Sequence, residues 1–278
     1  AWGVSMSGAG FAELAAISNF SLLHGASHPQ EMVETAAAFG YRAIGLADRN
    51  TLAGVVRGHA VAKQAGLRYV PGARLVTQCG FEVIAYPRSR AAYGALSQCL
   101  TQANRRGRKG ECLLTIDDVL GLARHAALCW LAVPPPRLEP IFGEKLAQLA
   151  AATRHVYALL VPLYGADDKA RFRDIAALAD WAGASVLASF DPFYHAPERR
   201  PLQDVVACIR QHVRLDAAGY RLAGNAERHM KPVAEAQRLF VDYPQALANI
   251  EKLLAACDFS LDELAYQYPE AVSYTHLT

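Results

Sequence analysis

The chain has 278 residues, 53% hydrophobic and 19% charged, with 28 Lys and Arg against 26 Asp and Glu. That apolar content and near-neutral balance exclude a disordered chain and a dedicated nucleic-acid wrapper, leaving room for a local basic patch. The length suits one large α/β domain or two ordinary ones, and nothing approaches the ~18 consecutive apolar residues of a membrane span.

In chain order, residues 1–10 are small and neutral and lack the basic and apolar parts of a secretion signal. They read as an arm. A strand is expected over Phe11–Ile17. Ser27 then reads as a helix N-cap, with Pro29 in the first turn, Gln30 at the third position, and Met32, Val33, Ala36 and Ala37 on one stripe. A unit recurs three times: an Ala-rich helix, a Gly at its end (Gly40, Gly66, Gly183), and a short apolar run (Ala43–Ala47, Leu67–Val70, Ser185–Ser189). Such runs suit strands buried on both faces of a parallel sheet.

Further strands are expected at Glu82–Ala85, Leu128–Val133 and Val156–Val161. Helices are expected at Leu52–Ala65, Ala91–Ala103, Phe142–Ala152, Lys169–Trp181, Leu202–Gln211 and Pro244–Ala256, and another after a capping-box start at Thr115. Pro134–Pro136 punctuates one connection. Alternating strands and helices imply βαβ units, in a closed barrel or an open doubly wound sheet. No glycine-rich nucleotide loop follows a strand, which favours an irregular barrel over Phe11–Tyr194 with a helical extension to about Leu264. The six Cys (79, 99, 112, 129, 208, 257) lack C-x-x-C spacing and read as small buried thiols in a reducing cytosol.

In a barrel, reactive residues lie at the C-terminal ends of strands. That rule selects Ser18, Asn19, Asp48, Arg49, Arg74, Asp191, Tyr194 and His195. Asp48 and Asp191 have the chemistry to hold a divalent metal or act as acid and base. Equally, Asp48 suits a helix cap and Asp191, before Pro192, suits a turn. His59 reads as an ordinary helix residue, since metal-binding His cluster. Arg105, Arg106, Arg108 and Lys109 form the densest basic run, a solvated loop or a phosphate-backbone contact. Arg199 and Arg200 make a weaker basic spot.

Five segments carry a family resemblance: Ser18–Val33, Asp48–Ala60, Tyr194–Arg210, Asn225–Met230 and Phe259–Pro269. They resemble the amino-terminal PHP domain (polymerase and histidinol phosphatase) of C-family bacterial DNA polymerases, in the error-prone branch. The resemblance spans almost the whole chain. It implies an α/β fold, a distorted (β/α)7 TIM-like barrel of PHP type over 11–195, with a helical C-terminal extension over 196–269 that leads toward the polymerase thumb and palm. Residues 270–278 match nothing in the family.

Active members bind a metal cluster and remove nucleotides or phosphates hydrolytically. Their first metal motif, His-x-His, falls here on Ala15 and Ile17. The error-prone branch commonly keeps the first of these His, so this chain departs even from its branch. The Asp-His motif falls on Asp48 and Arg49, and the Glu motif on Arg74. The final Asp-x-His falls on Asp191 and Phe193, and Asn19 is a weak stand-in for a carboxylate. Guanidinium does not deprotonate to become a ligand. The expectation is a vestigial metal site, with Asp48 or Asp191 paired to Arg49 or Arg74, and with neither catalytic residues nor metal ligands in this stretch. Polymerase Mg²⁺ is then expected in a palm domain outside it. Expected partners are the rest of the polymerase chain, DNA through Arg105, Arg106, Arg108 and Lys109, and other mutagenic-repair subunits, without a membrane. The alternatives are an active metal-dependent phosphoesterase or 3′–5′ exonuclease, and a small-molecule enzyme sharing only the barrel.

Overall fold

The computed structural model describes residues 10–264. The expected arm up to residue 9, the end of the Phe259–Pro269 segment and the unmatched 270–278 lie outside the described residues. The barrel elements are β1 (Ala12–Ala16), α1 (Pro29–Ala38), β2 (Ala43–Arg49), α2 (Val55–Gln64), β3 (Arg68–Tyr69), β4 (Gly72–Val76), β5 (Glu82–Pro87), α3 (Arg90–Arg106), α4 (Ile116–His125), β6 (Leu128–Val133), α5 (Pro140–Ala152), β7 (Val156–Leu160), α6 (Asp168–Ala182) and β8 (Ser185–Ala188). Helices α7 (Arg200–Gln211), α8 (Val233–Leu239) and α9 (Pro244–Ala256) follow.

Local signals act much as the sequence suggests. Gly40, Gly66 and Gly183 are left-handed (φ +70°, +65° and +74°), the conformation that ends a helix. Thr115 caps α4 and Asp118 answers it. The start of α1 is displaced by one residue: His28 is the N-cap, and Glu31 accepts its N–H at 2.8 Å. Ser27 turns away instead and bonds His195.

The strands follow the order β1-β2-β4-β5-β6-β7-β8, with β3 beside β2. All neighbours are parallel except that β5 runs antiparallel to both β4 and β6. The reversed β5 is a distortion within the expected irregular (β/α)7 barrel. The sequence reading stops a strand at Val70 and misses β4, because Pro71-Gly72 looks like a turn. No crossover helix joins β4 to β5. A tight turn through Gly80 (φ +81°) does, and a tight turn joins only antiparallel strands.

The sheet is curled. Tyr86 of β5 reaches across the interior and donates to Leu14 O of β1 at 2.7 Å, three strands away in the order. Gly45 and Gly72 make room for its ring; a Cβ at either position would overlap it. Where β1 meets β8, a side chain does most of the joining. The buried Glu13 carboxylate accepts from Ser189 Oγ (2.5 Å), Phe190 N (2.8 Å) and Ala15 N (2.8 Å). Ile17 N donates to Pro192 O nearby at 3.2 Å.

The apolar core runs without a break from Phe11 into the extension, ending at Cys257. Helix α9 buries Ile250, Leu253 and Leu254, each worth ~1.5–3 kcal/mol on full burial. Its Asn249 Nδ2 donates to Val186 O of β8 at 2.8 Å. Among the described residues no helix is long and apolar enough to cross a membrane.

Candidate functional site

The ends of β2, β4 and β8 and the start of the reversed β5 converge at one mouth of the barrel. Asp48, near the end of β2, is buried and accepts three hydrogen bonds. They come from Ser18 N (2.7 Å), Ser18 Oγ (2.8 Å) and Ser21 Oγ (2.6 Å), all in the turn after β1. It does not cap α2, whose N-cap is Gly54. Nor does it take a guanidinium; of the alternatives expected, the pairing is made by Asp191. Arg49 instead bonds both oxygens of Glu82 at 2.8 Å. Glu82 opens β5, and only the reversal of that strand brings it to the mouth.

Asp191 is satisfied differently. It sits in a left-handed turn (φ +47°), a conformation Asp tolerates better than most residues, so the turn reading holds together with a site role. Its Oδ1 accepts from Arg74 and its Oδ2 from Arg228. Arg74 lies inside β4, not after a strand as expected, and is 1% exposed. It also donates to Ala15 O at 2.8 Å and faces Glu82 at 3.5 Å. Arg228 lies over the Phe193 ring, 4.1 Å from its centroid. The segment around Phe193–His195 pairs with Arg228–Met230, which delivers Arg228 to Asp191. Burial alone would raise the Asp191 carboxyl; the charges of Arg74 and Arg228 outweigh it and hold the group below the usual range.

The remaining aligned positions hold no charge. Ala15 and Ile17 are fully buried in the wall, and Asn19 Nδ2 meets His28 Nδ1 at 3.0 Å. His59 of α2 meets Asp262 at 3.3 Å and lies edge-on to the Tyr69 ring, as an ordinary helix residue would. Among the described residues no three His, Cys, Asp or Glu side chains converge as a metal-holding group. A cavity of about 270 Å³ opens at the mouth, with Arg49, Arg74, Glu82, Asp191, Phe193 and Arg228 on its walls. Pro134–Pro136 line it too, and Arg171 of α6 donates to Pro136 O (2.8 Å) and Pro134 O (3.3 Å). That triplet therefore builds the site as well as punctuating the chain.

Sequence reasoning misses Glu82, Arg171 and Arg228. The strand-end rule assumes parallel strands, which hides Glu82. Arg171 comes from a helix. Arg228 lies in the quoted Asn225–Met230 segment, where a signal existed. Outside the mouth, the basic run is partly helical: α3 extends through Arg106 to a cap at Gly107. Arg106 is tied to Asp118 at 2.7 Å, while Arg105, Arg108 and Lys109 are exposed. Arg199 pairs with Glu31, and Arg200 with Asp204 at 2.7 Å, which neutralises the second basic spot.

Comparison with known proteins decides the family. The PHP domain model matches residues 13–182. The chain belongs to the PHP domain family. This PHP domain is 47% identical over 266 residues to the error-prone DNA polymerase of Brucella abortus biovar 1 (strain 9-941), covering 93% of the chain and 24% of that protein. It is 43% identical over 265 residues to error-prone DNA polymerase 1 of Rhizobium meliloti (strain 1021), covering 94% and 24%. The chain thus spans about a quarter of the length of these relatives. Among solved structures, it resembles a protein from Bifidobacterium adolescentis described as a metal-dependent phosphoesterase. The TM-score is 0.51 at 14% identity, covering 66% of this chain and 88% of that one. An amidohydrolase from Chromobacterium violaceum, with bound sulfate and no metal, gives the same score and identity, covering 64% and 86%. At such identity the likeness concerns the fold alone, and it is the barrel described above.

Proposed function

We propose that this PHP domain is a non-hydrolytic scaffold of an error-prone, damage-tolerant DNA polymerase. The observation that carries the reading is Arg74, buried at the barrel mouth between Asp191, Glu82 and Ala15 O. A metal cluster needs deprotonated or lone-pair donors, and a guanidinium supplies neither. The two remaining family carboxylates are engaged, Asp48 by hydroxyls and an amide, Asp191 by two guanidiniums. The donor set therefore does not fit the family's metal centre. In its place, ion pairs and hydrogen bonds tie the turn after β1 to β2, and β4 to the turn after β8.

On this reading the domain contributes no catalytic residue and no metal ligand. Templated nucleotidyl transfer, with its Mg²⁺, belongs to a palm domain elsewhere in a cytoplasmic polymerase. The domain's work is to brace the rest of that chain. Contact with DNA through Arg105, Arg108 and Lys109, and docking of other mutagenic-repair subunits, belong to the same proposal. Elemental analysis of the purified chain after incubation with Zn²⁺ or Mn²⁺, beside a 3′-end cleavage assay, tests it. The expected result is substoichiometric metal and no cleavage. Stoichiometric metal with metal-dependent cleavage would overturn it in favour of an active phosphoesterase or 3′–5′ exonuclease.

A further inference from the structure

The mouth cavity is walled by four guanidiniums, Arg49, Arg74, Arg171 and Arg228, but by only two carboxylates, Glu82 and Asp191. Positive charge is thus in excess. His24, on the same wall, reports that field: burial and then Arg49, Arg210 and Arg74 push its pKa down to about 3, so the imidazole is neutral. Its Nδ1 lies 2.9 Å from Arg210 Nη1.

The guanidiniums are also incompletely bonded. The Nε atoms of Arg74, Arg171 and Arg228 are buried and have no hydrogen-bond partner among the described residues. Among the described residues the Arg171 guanidinium donates only to the Pro134 and Pro136 carbonyls. Arg74 and Arg171 are 1% and 9% exposed, so neither is freely hydrated. Buried donors without acceptors are costly, and an excess of buried charge more so. A phosphoryl oxyanion in the cavity balances that excess of charge, and forked guanidinium N–H donors fit phosphoryl oxygens closely. A second cavity of about 370 Å³ shares Pro136, Leu163, Phe193 and Arg228 with the first, leaving room for whatever the phosphoryl group is attached to.

We propose that the barrel mouth is an arginine-built anion site that binds a phosphoryl group, without cleaving it, against Arg49, Arg74, Arg171 and Arg228. This rests on the reading that guanidiniums rather than metal ions serve the mouth. The site is one of binding only, since no nucleophile or metal is assigned to it.

Isothermal titration of the 278-residue chain in EDTA tests the proposal. The probes are inorganic phosphate, a deoxynucleoside 5′-monophosphate, the unphosphorylated deoxynucleoside, and an oligodeoxynucleotide with or without a 5′-phosphate. Saturable one-site binding is expected for phosphorylated probes and none for the deoxynucleoside. Arg49→Gln and Arg171→Gln weaken it, and Glu82→Gln tightens it, each by about tenfold at short charge separations. Melting curves confirm that the variants fold, and opposite signs among them cannot arise from unfolding. Preference for the phosphorylated strand identifies a DNA end as the source; equal affinity for the mononucleotide identifies a small anion. Either result supports the site. Absence of saturable binding, or one affinity across all three variants, overturns it. Metal uptake with hydrolysis would overturn the underlying scaffold reading, whereas a metal-free chain that ignores phosphate overturns this proposal alone.

Discussion

Two buried carboxylates stand at the barrel mouth, and they are satisfied in opposite ways. Asp48 is 3% exposed and holds only neutral donors, two serine hydroxyls and a backbone amide. Asp191 is 2% exposed and holds two guanidiniums. Both tie together segments distant in sequence, so both are struts. The difference lies in what each tolerates. A hydroxyl can rotate and accept a hydrogen bond when its partner changes, whereas a guanidinium only donates. The Asp48 side of the mouth is therefore adaptable, and the Asp191 side is committed to a negative charge.

Matched substitutions test that contrast most severely. Asp191→Asn removes the nearer counter-charge of buried Arg74, leaving only Glu82 at 3.5 Å, and is expected to cost ~3–5 kcal/mol in chemical denaturation. Asp48→Asn keeps the shape, lets Ser18 Oγ turn and accept, and is expected to cost only about 1 kcal/mol. Equal costs would break the comparison.

Acid sharpens it further. The Asp191 carboxyl is held below its ordinary value, so its contribution is fully present above the unfolded pKa of ~3.9 and is lost as pH falls through the folded one. Denaturation midpoints followed from pH 5 downward should fall for the native chain and flatten for Asp191→Asn. Glu13 has the opposite sign. Burial raises its pKa to about 7, so the folded state binds the extra proton and stability declines as pH rises from the ordinary carboxylate range toward neutrality. Glu13→Gln should abolish that decline, at some cost because Phe190 N–H loses an acceptor. A slope that persists in the variant would place the titration elsewhere.

The smallest effect is expected far from the mouth. Arg106→Ala breaks a half-exposed pair with Asp118 and should cost less than ~1 kcal/mol. Neutralising Arg105, Arg108 and Lys109 should leave melting unchanged while weakening DNA binding and flattening its salt dependence. Unchanged binding would return that end of α3 to plain solvation.

What could be read from residue order was whatever depends on neighbours in the chain. Helix-ending glycines, the Thr115 cap and the apolar strand runs are local, and they fell where expected. The expectation for Asp191 and Arg74 came from aligning motif positions and pairing opposite charges, and the structure joins them. Asp48 escaped the same logic because its partners, Ser18 and Ser21, carry no charge to betray the contact. Glu82 escaped because strand direction is a tertiary property: reversing β5 moves the start of a strand to the face where ends are expected. Glu13 drew no expectation, because nothing local says that partners of its carboxylate lie 176 and 177 residues away.

The Glu13 clasp has a consequence in time as well as in space. Elsewhere in the barrel, neighbouring strands share backbone ladders that open only together. Between β1 and β8 the closure depends on one carboxylate and few backbone bonds. The cylinder therefore has a preferred line of breathing, and amides flanking it, such as Phe190 and Ile17, should exchange with solvent deuterium ahead of those in the β5–β6 ladder. The barrel behaves less like a hoop than like a sleeve fastened by a single button.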